Sequence, residues 1–121
     1  MNEVIRLFVL ACMMAVLDLP WLYIQGPWVQ EFVRDIQVDR SMNVRLLGAI
    51  PVYLALAYLV TQVSSAPRAF LLGMSVYAVY DFTQIVVFDK YPVAFAVMDS
   101  LWGGLLMALT WWLAIQFKLL T

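Results

Sequence analysis

The sequence predicts an all-α, polytopic membrane protein with four transmembrane helices and one interfacial amphipathic helix between the first and second. Hydrophobic residues make up 65% of the 121 residues and charged residues only 12%, whereas soluble domains contain roughly 45–50% and about 25%. Four apolar stretches approach the length of about 20 residues that a span needs. A spanning segment of this kind satisfies its backbone hydrogen bonds as a helix. Because these spans use most of the chain, we expect a single transmembrane domain over residues 1–121.

Short polar or proline-containing connections separate the four spans. The first span is predicted at about residues 4–24, and Gly26-Pro27 is expected to end it. The second is predicted at about 45–63, with a kink at Pro51. The third and fourth spans are predicted at about 69–88 and 93–118.

The segment between the first two spans, residues 27–43, has an amphipathic pattern. Its apolar residues recur at helical spacing and its polar residues take the other face; the apolar set is Trp28, Val29, Phe32, Val33 and Ile36. Pro27 suits a first helical position. The pattern predicts a helix lying in the membrane interface, either as a plain connecting helix or as a lid over a site.

Charge and composition exclude several classes of function. The net charge of −1 argues against nucleic-acid binding, since no basic patch exists. The chain has no histidine and one cysteine, so we expect no cofactor and no zinc, haem or iron–sulfur site. Lysine and arginine are nearly balanced between the two sides, which leaves the orientation open. We expect an integral, multi-pass location in the bacterial inner (plasma) membrane.

Three aspartates, Asp18, Asp81 and Asp99, lie inside the predicted spans. A carboxylate near the bilayer centre costs on the order of 2.5–3.5 kcal/mol, so these residues require partners, water, protons or a function. We call the side that holds both chain ends side A and the side that holds the turn before Pro92 side B. At a rise of ~1.5 Å per residue, Asp18 and Asp99 lie roughly 6 Å, and Asp81 roughly 3–4 Å, from their span centres toward side B. Three helices therefore place a carboxylate in one layer.

Aromatic and polar side chains accompany each aspartate. A tryptophan follows Asp18 and Asp99 by three residues, which places it on the same helix face. Tyrosines and a glutamine follow the third helix around Asp81 and offer hydrogen bonds to the carboxyl groups. We predict a ligand- or proton-binding site, without a catalytic residue or a metal, from Asp18, Asp81, Asp99, Trp21, Trp102, Tyr77, Tyr80 and Gln84.

The first and fourth helices share a short pattern. Residues 15–21 and 96–102 both read A-V-apolar-D-x-x-W. An inverted repeat related by a twofold axis at the midplane would place the two aspartates in opposite halves of the membrane. Both are predicted in the same half, so we interpret the echo as chance or as convergent site chemistry.

A ridge of small residues on the fourth helix, Ser100, Gly104 and Ala108, would let another helix approach closely. It serves either packing within the bundle or a homodimer. Membrane lipid is the other expected partner.

These motifs resemble a family of small predicted membrane proteins grouped as domain of unknown function 2177. Leu17-Asp18-Leu19-Pro20-Trp21-Leu22 matches an L-D-x-x-W-L motif, and Asp99-Ser100-Leu101-Trp102-Gly103 matches D-x-x-W-G. Residues 77–84 match Y-x-x-Y-D-x-T-N except that Gln84 replaces the asparagine, which keeps an amide but lengthens the side chain. Tyr91-Pro92 corresponds to a W-P-type turn. The resemblance covers nearly the whole chain and implies a four-helix membrane protein; it carries over no activity.

Three functions remain open. The first is an acidic, aromatic-lined intramembrane pocket that binds a proton-coupled substrate, an apolar cation or a lipid. In size and in its first-helix acid the chain is similar to small multidrug-resistance transporters, an analogy at the level of the fold. The second is a structural or accessory subunit whose aspartates lock the helix bundle. The third is a lipid-modifying membrane enzyme, for which the sequence marks no nucleophile.

Overall fold

The computed structural model describes residues 1–120 and confirms the all-α prediction. Four α-helices follow one another, with a 3₁₀ turn at Leu46–Gly48 before the second: α1 (Glu3–Ile36), α2 (Ala49–Val60), α3 (Ala66–Val87) and α4 (Val93–Gln116). Helices α1, α3 and α4 are each long and apolar enough to cross a membrane, whereas α2 belongs to a shorter apolar segment, Leu46–Val60.

Helix α1 continues through the predicted break at Gly26-Pro27, so that prediction is wrong. Pro27 lies inside this 34-residue helix, where a proline removes one backbone hydrogen bond. Packing compensates, because Trp28 and Phe32 lie against Phe95 of α4 at ring-centroid distances of 5.3 Å and 5.1 Å. Residues 27–36 are thus an extension of α1 instead of a separate helix, and residues 37–45 connect it to the 3₁₀ turn.

The length of α1 also shows where this extension lies along the helix axis. At ~1.5 Å per residue a helix of this length is about 51 Å long, which exceeds a hydrocarbon core of about 30 Å. Because Phe32 lies against Phe95, two residues after the start of α4, the last turn of α1 extends beyond the start of α4. A location of this extension in the membrane interface stays a prediction.

Pro51 lies in the first turn of α2. The first N–H groups of a helix have no partner within the helix, so a proline there costs little. The chain changes from a 3₁₀ turn to an α-helix just before Pro51. A kink at Pro51 stays a prediction.

Side chains define the beginnings of α1 and α3. Asn2 Oδ1 accepts a hydrogen bond from the Val4 N–H at 2.7 Å. Ser65 Oγ accepts one from the Arg68 N–H at 3.3 Å. Both are N-caps that satisfy otherwise unpaired donors, and α3 consequently begins three residues earlier than predicted.

The α3–α4 hairpin is the closest helix pair, because glycines let the two backbones approach. A Cβ added at Gly73 would overlap the carbonyl oxygen of Gly103, and a Cβ added at Gly103 would overlap the ring of Tyr77. A Cβ at Gly104 would lie 2.8 Å from the ring of Phe70. Helix α4 contacts each of the other three helices, α1, α2 and α3. It therefore lies at the centre of the bundle.

The ridge of small residues on α4 is partly used within the bundle. Gly104 faces Phe70 of α3, and Ser100 is buried, its hydroxyl donating to the Ala96 carbonyl at 2.7 Å. A homodimer contact through Ser100, Gly104 and Ala108 stays a prediction.

The interior is divided by depth. The apolar core lies toward side A, where the first half of α1, the second half of α2 and the second half of α4 meet; its fully buried members include Leu10, Met14, Ala57, Val60, Met107 and Ala114. The polar groups begin one turn beyond Met14, at Asp18, and continue toward side B. The candidate site therefore lies above a closed apolar core.

Candidate functional site

Two tryptophan–aspartate hydrogen bonds connect α1 and α4 crosswise. The Trp21 indole N–H donates to Asp99 Oδ1 at 2.8 Å, and the Trp102 indole N–H donates to Asp18 Oδ1 at 2.6 Å. The two indole rings stack between these bonds, with centroids 6.2 Å apart and planes inclined by 27°. Each tryptophan therefore serves the aspartate of the other helix, not the one three residues before it.

This crossed pairing gives the repeated A-V-apolar-D-x-x-W pattern a structural meaning. Asp18 of α1 lies beside Trp102 of α4, and Trp21 lies beside Asp99. The two helices are therefore antiparallel where they meet. Two antiparallel helices with the same short pattern can pair in this way about a local twofold axis. The crossed hydrogen bonds place Asp18 and Asp99 within about one helical turn of each other along α1 and α4.

Asp18 joins a third helix through Tyr53. The Tyr53 hydroxyl, on α2, donates to Asp18 Oδ2. Both carboxylate oxygens of Asp18 thus accept a hydrogen bond, and its side chain is only 5% exposed. Sequence reasoning missed Tyr53, although Tyr53 and Tyr58 are the only hydrogen-bonding side chains within α2.

Asp81 is completely buried and only partly satisfied. Its Oδ1 accepts a hydrogen bond from the Tyr91 hydroxyl at 2.7 Å. Its Oδ2 has no donor among residues 1–120, but Asp99 lies within hydrogen-bonding reach of the Asp81 carboxyl. Two carboxyl groups can share such a hydrogen bond only if one of them carries a proton.

Tyr91 holds Asp81 from the turn between α3 and α4. Burial, followed by the hydrogen bond to Asp81, raises the pKa of the Tyr91 phenol, so the hydroxyl remains protonated and keeps donating at neutral pH. From the sequence, Tyr91 was expected only as part of the turn before α4. Tyr91 follows Asp81 by ten residues and lies beyond the end of α3. Helical spacing therefore does not predict that the two side chains meet, because the chain turns between them.

A cluster of aromatic rings covers the site on side B. Phe95 is its centre, with Phe32 and Trp28 of α1, Tyr91 of the turn and Trp21 within 6.3 Å of it between ring centroids. The extension of α1 therefore packs beside the site as part of a continuous helix; its role as a lid stays a prediction.

A cavity of about 300 Å³ opens beneath this cluster. Asp18 and Asp99 line it with aromatic side chains, namely Trp21, Phe32, Tyr77, Tyr80, Tyr91 and Phe95. Gln25 also lines it, and Gln25 Oε1 is buried without a hydrogen-bond partner in the described part of the chain. No lysine or arginine is among the lining residues, so the cavity is acidic and uncompensated.

The predicted site residues divide into three groups. Asp18, Asp99, Trp21 and Tyr77 line the cavity, whereas Asp81 and Trp102 support it from behind. Tyr80 also lines the cavity, although it is 61% exposed. Gln84 donates no side-chain hydrogen bond to the aspartates, and its backbone carbonyl accepts from the Phe88 N–H at 2.7 Å. Within residues 1–120 the three carboxylates do not converge on one point that would hold a metal ion.

Comparison with known proteins agrees with this architecture. The family described as predicted membrane protein (DUF2177) matches residues 4–116. The chain belongs to this family. The match spans all four helices and confirms the resemblance that the sequence motifs indicate. No curated protein and no solved structure matches the chain.

The crossed pairing is testable as an energetic coupling. In a double-mutant cycle of unfolding in detergent, Trp21→Phe and Asp99→Asn are expected to couple by about 0.6–1.7 kcal/mol, the range for hydrogen bonds between membrane helices. The matched control combines Trp21→Phe with Asp18→Asn, two neighbours on one helix that share no hydrogen bond. A larger coupling in the control than in the crossed pair would contradict the pairing.

Proposed function

We propose that this membrane protein binds an apolar cation in the side B cavity in exchange for a proton held between Asp81 and Asp99. The observation that carries the proposal is the acidic pair formed by the buried Asp81 and the half-buried Asp99. Among residues 1–120, no lysine or arginine lines the cavity beside Asp99. The proposed place of action is the bacterial inner membrane, with the chain crossing it several times.

Charge balance explains why the exchange is favourable. An unpaired buried carboxylate is costly in a low-dielectric interior, so the empty site is stabilised by retaining a proton between the two acids. When a cation enters beside Asp99, its positive charge replaces that of the proton. One positive charge enters as one leaves, so the net charge of the site is the same before and after the exchange.

The rest of the cavity suits an apolar cation. Aromatic faces attract cations by about 0.5–2 kcal/mol each, and six aromatic side chains line the cavity with Asp18 and Asp99. Asp18 already accepts hydrogen bonds from Tyr53 and Trp102. Among the tryptophans and tyrosines of residues 1–120, Trp21 alone donates to Asp99, and Asp99 lines both the side B cavity and the space beside Tyr77 and Tyr80. Asp99 is therefore the residue proposed to meet the ligand.

Proton-linked binding is the expected result in titrations with tetraphenylphosphonium. Protein in lipid nanodiscs is expected to release about one proton per bound cation, measured by calorimetry in two buffers with different ionisation enthalpies. Because cation and proton compete, affinity is expected to rise with pH, by up to about tenfold per unit for one exchanged proton.

Three variants sharpen this test. Asp99→Asn is expected to abolish binding. Asp81→Asn, whose amide resembles the protonated acid but releases no proton, is expected to remove the pH dependence. Asp39→Asn, at an exposed position after α1, is the control and is expected to bind like the wild type. Binding without proton release, or unchanged binding by Asp81→Asn, would refute the proposal.

A structural role is the second candidate, and the crossed tryptophan–aspartate pairs favour it. They join α1 to α4, and Tyr53 adds α2, so the aspartates fasten three helices. This role predicts that asparagine at each position lowers stability while no cation binds. The tetraphenylphosphonium titration separates the two candidates.

A further inference from the structure

A second cavity adjoins the first at Asp99. It has a volume of about 430 Å³ and lies between α2 and α3. Val52, Ala55, Leu56 and Leu59 line it from α2 and Val76 from α3, and it shares Tyr77, Tyr80 and Asp99 with the side B cavity. Its walls are thus apolar except at the end where it meets the acidic site.

The two cavities lie at different depths. The first extends from Asp99 toward side B along α1 as far as Val33. The second follows α2 from Val52 to Leu59, away from the start of α2 and toward side A. The first cavity is polar and aromatic, the second is apolar, and Tyr77, Tyr80 and Asp99 line both.

From this arrangement we infer that the ligand is a single-chain alkylammonium ion. Its ammonium group lies against Asp99 and the aromatic side chains of the side B cavity, and its hydrocarbon chain lies in the apolar cavity between α2 and α3. The inference rests on the proposed function and specifies its substrate class.

Charge complementarity selects this amphiphile over a phospholipid. A phospholipid also carries an amine and hydrocarbon, but its phosphate would enter the same space. In the described part of the chain, no lysine or arginine lines either cavity, and Asp18 and Asp99 would repel the phosphate. A cation without an anionic group satisfies the site.

Ala55 allows the apolar half to be tested separately. It is an exposed alanine that lines the second cavity but not the first, so a larger side chain there fills the cavity without entering the core. Ala94, exposed at the start of α4, is a matched control for the same substitution.

The experiment compares the binding of butyltrimethylammonium and decyltrimethylammonium to protein in nanodiscs. Binding of each compound to nanodiscs without protein is measured separately and subtracted, because the decyl compound also partitions into lipid. Wild type is expected to bind the decyl compound at least tenfold more tightly than the butyl compound. Ala55→Phe is expected to lose this preference and keep its affinity for the butyl compound, while Ala94→Phe retains both. Added phosphatidylcholine with short chains is expected not to compete.

The outcomes distinguish the inference from the proposed function. If wild type binds neither ammonium ion, the proposed cation site itself fails. If both bind but Ala55→Phe keeps the wild-type preference for the decyl chain, or if the phospholipid competes, the inference is overturned while the cation site stands. Retained butyltrimethylammonium binding by Ala55→Phe shows that this variant is folded.

Discussion

Replacing Gly103 with alanine is expected to separate α3 from α4 and to destabilise the protein by about 1–3 kcal/mol, the usual cost of overpacking. The added Cβ would overlap the root of the Tyr77 ring, not the end of a flexible side chain. The added atom would also lie 2.8 Å from Tyr77 Cβ, which cannot move unless the backbone of α3 moves with it. Unfolding in detergent followed by circular dichroism measures the loss.

Gly26→Ala is the control for this substitution. Gly26 lies inside α1, and a Cβ there meets nothing within 4 Å. Alanine forms helix better than glycine by roughly 0.5–1 kcal/mol, so this variant is expected to be as stable as the wild type or more so. Equal losses at Gly26 and Gly103 would show that the helix packing described for α3 and α4 is not what limits stability.

The second large effect is expected at Asp18, the residue that joins α1 to both α2 and α4. Asp18→Leu leaves the Tyr53 hydroxyl and the Trp102 N–H without their acceptor. Each buried donor left unpaired costs about 1–3 kcal/mol. Asp18→Asn is expected to cost less, because its amide oxygen still accepts one of the two bonds. The measurement is again unfolding in detergent.

A control and a contrary result complete this test. Asp89→Leu, in the exposed turn before α4, makes the same chemical change away from the bundle and is expected to leave stability nearly unchanged. If the Asp18→Leu protein were more stable than the wild type, the prediction would be contradicted. The desolvation free energy of the carboxylate would then exceed the stabilisation from its hydrogen bonds.

Much of the helical architecture was predictable, because the signals for it are local. Apolar run length and the absence of internal polar stretches predict α3 and α4 closely. The end of α1 was not predictable from Gly26-Pro27, since the contacts of Trp28 and Phe32 with Phe95 outweigh the local cost of proline. A residue 63 or 67 positions away supplies those contacts, and no local pattern reports them.

The candidate site was predicted in its members more than in its connections. Asp18, Asp99, Trp21 and Tyr77 line the cavity. The same-helix pairing of aspartate with tryptophan was a natural expectation from spacing, yet the hydrogen bonds cross between helices. Tyr53 and Tyr91 were missed because each reaches its aspartate only through the packing of separate segments.

The sequence by itself determined a helical membrane protein with three carboxylates in one layer, because helix rise and hydrophobic length depend only on neighbouring residues. Only the tertiary structure decided how those carboxylates are partnered: Asp18 shared by α2 and α4, Asp81 and Asp99 beside one another, and Asp99 in the lining of two cavities. The physical reason is that depth along a helix follows from counting residues, whereas the facing of two helices follows from which side chains fit. Here the glycines of α3 and α4 and the stacked indoles of α1 and α4 make that choice.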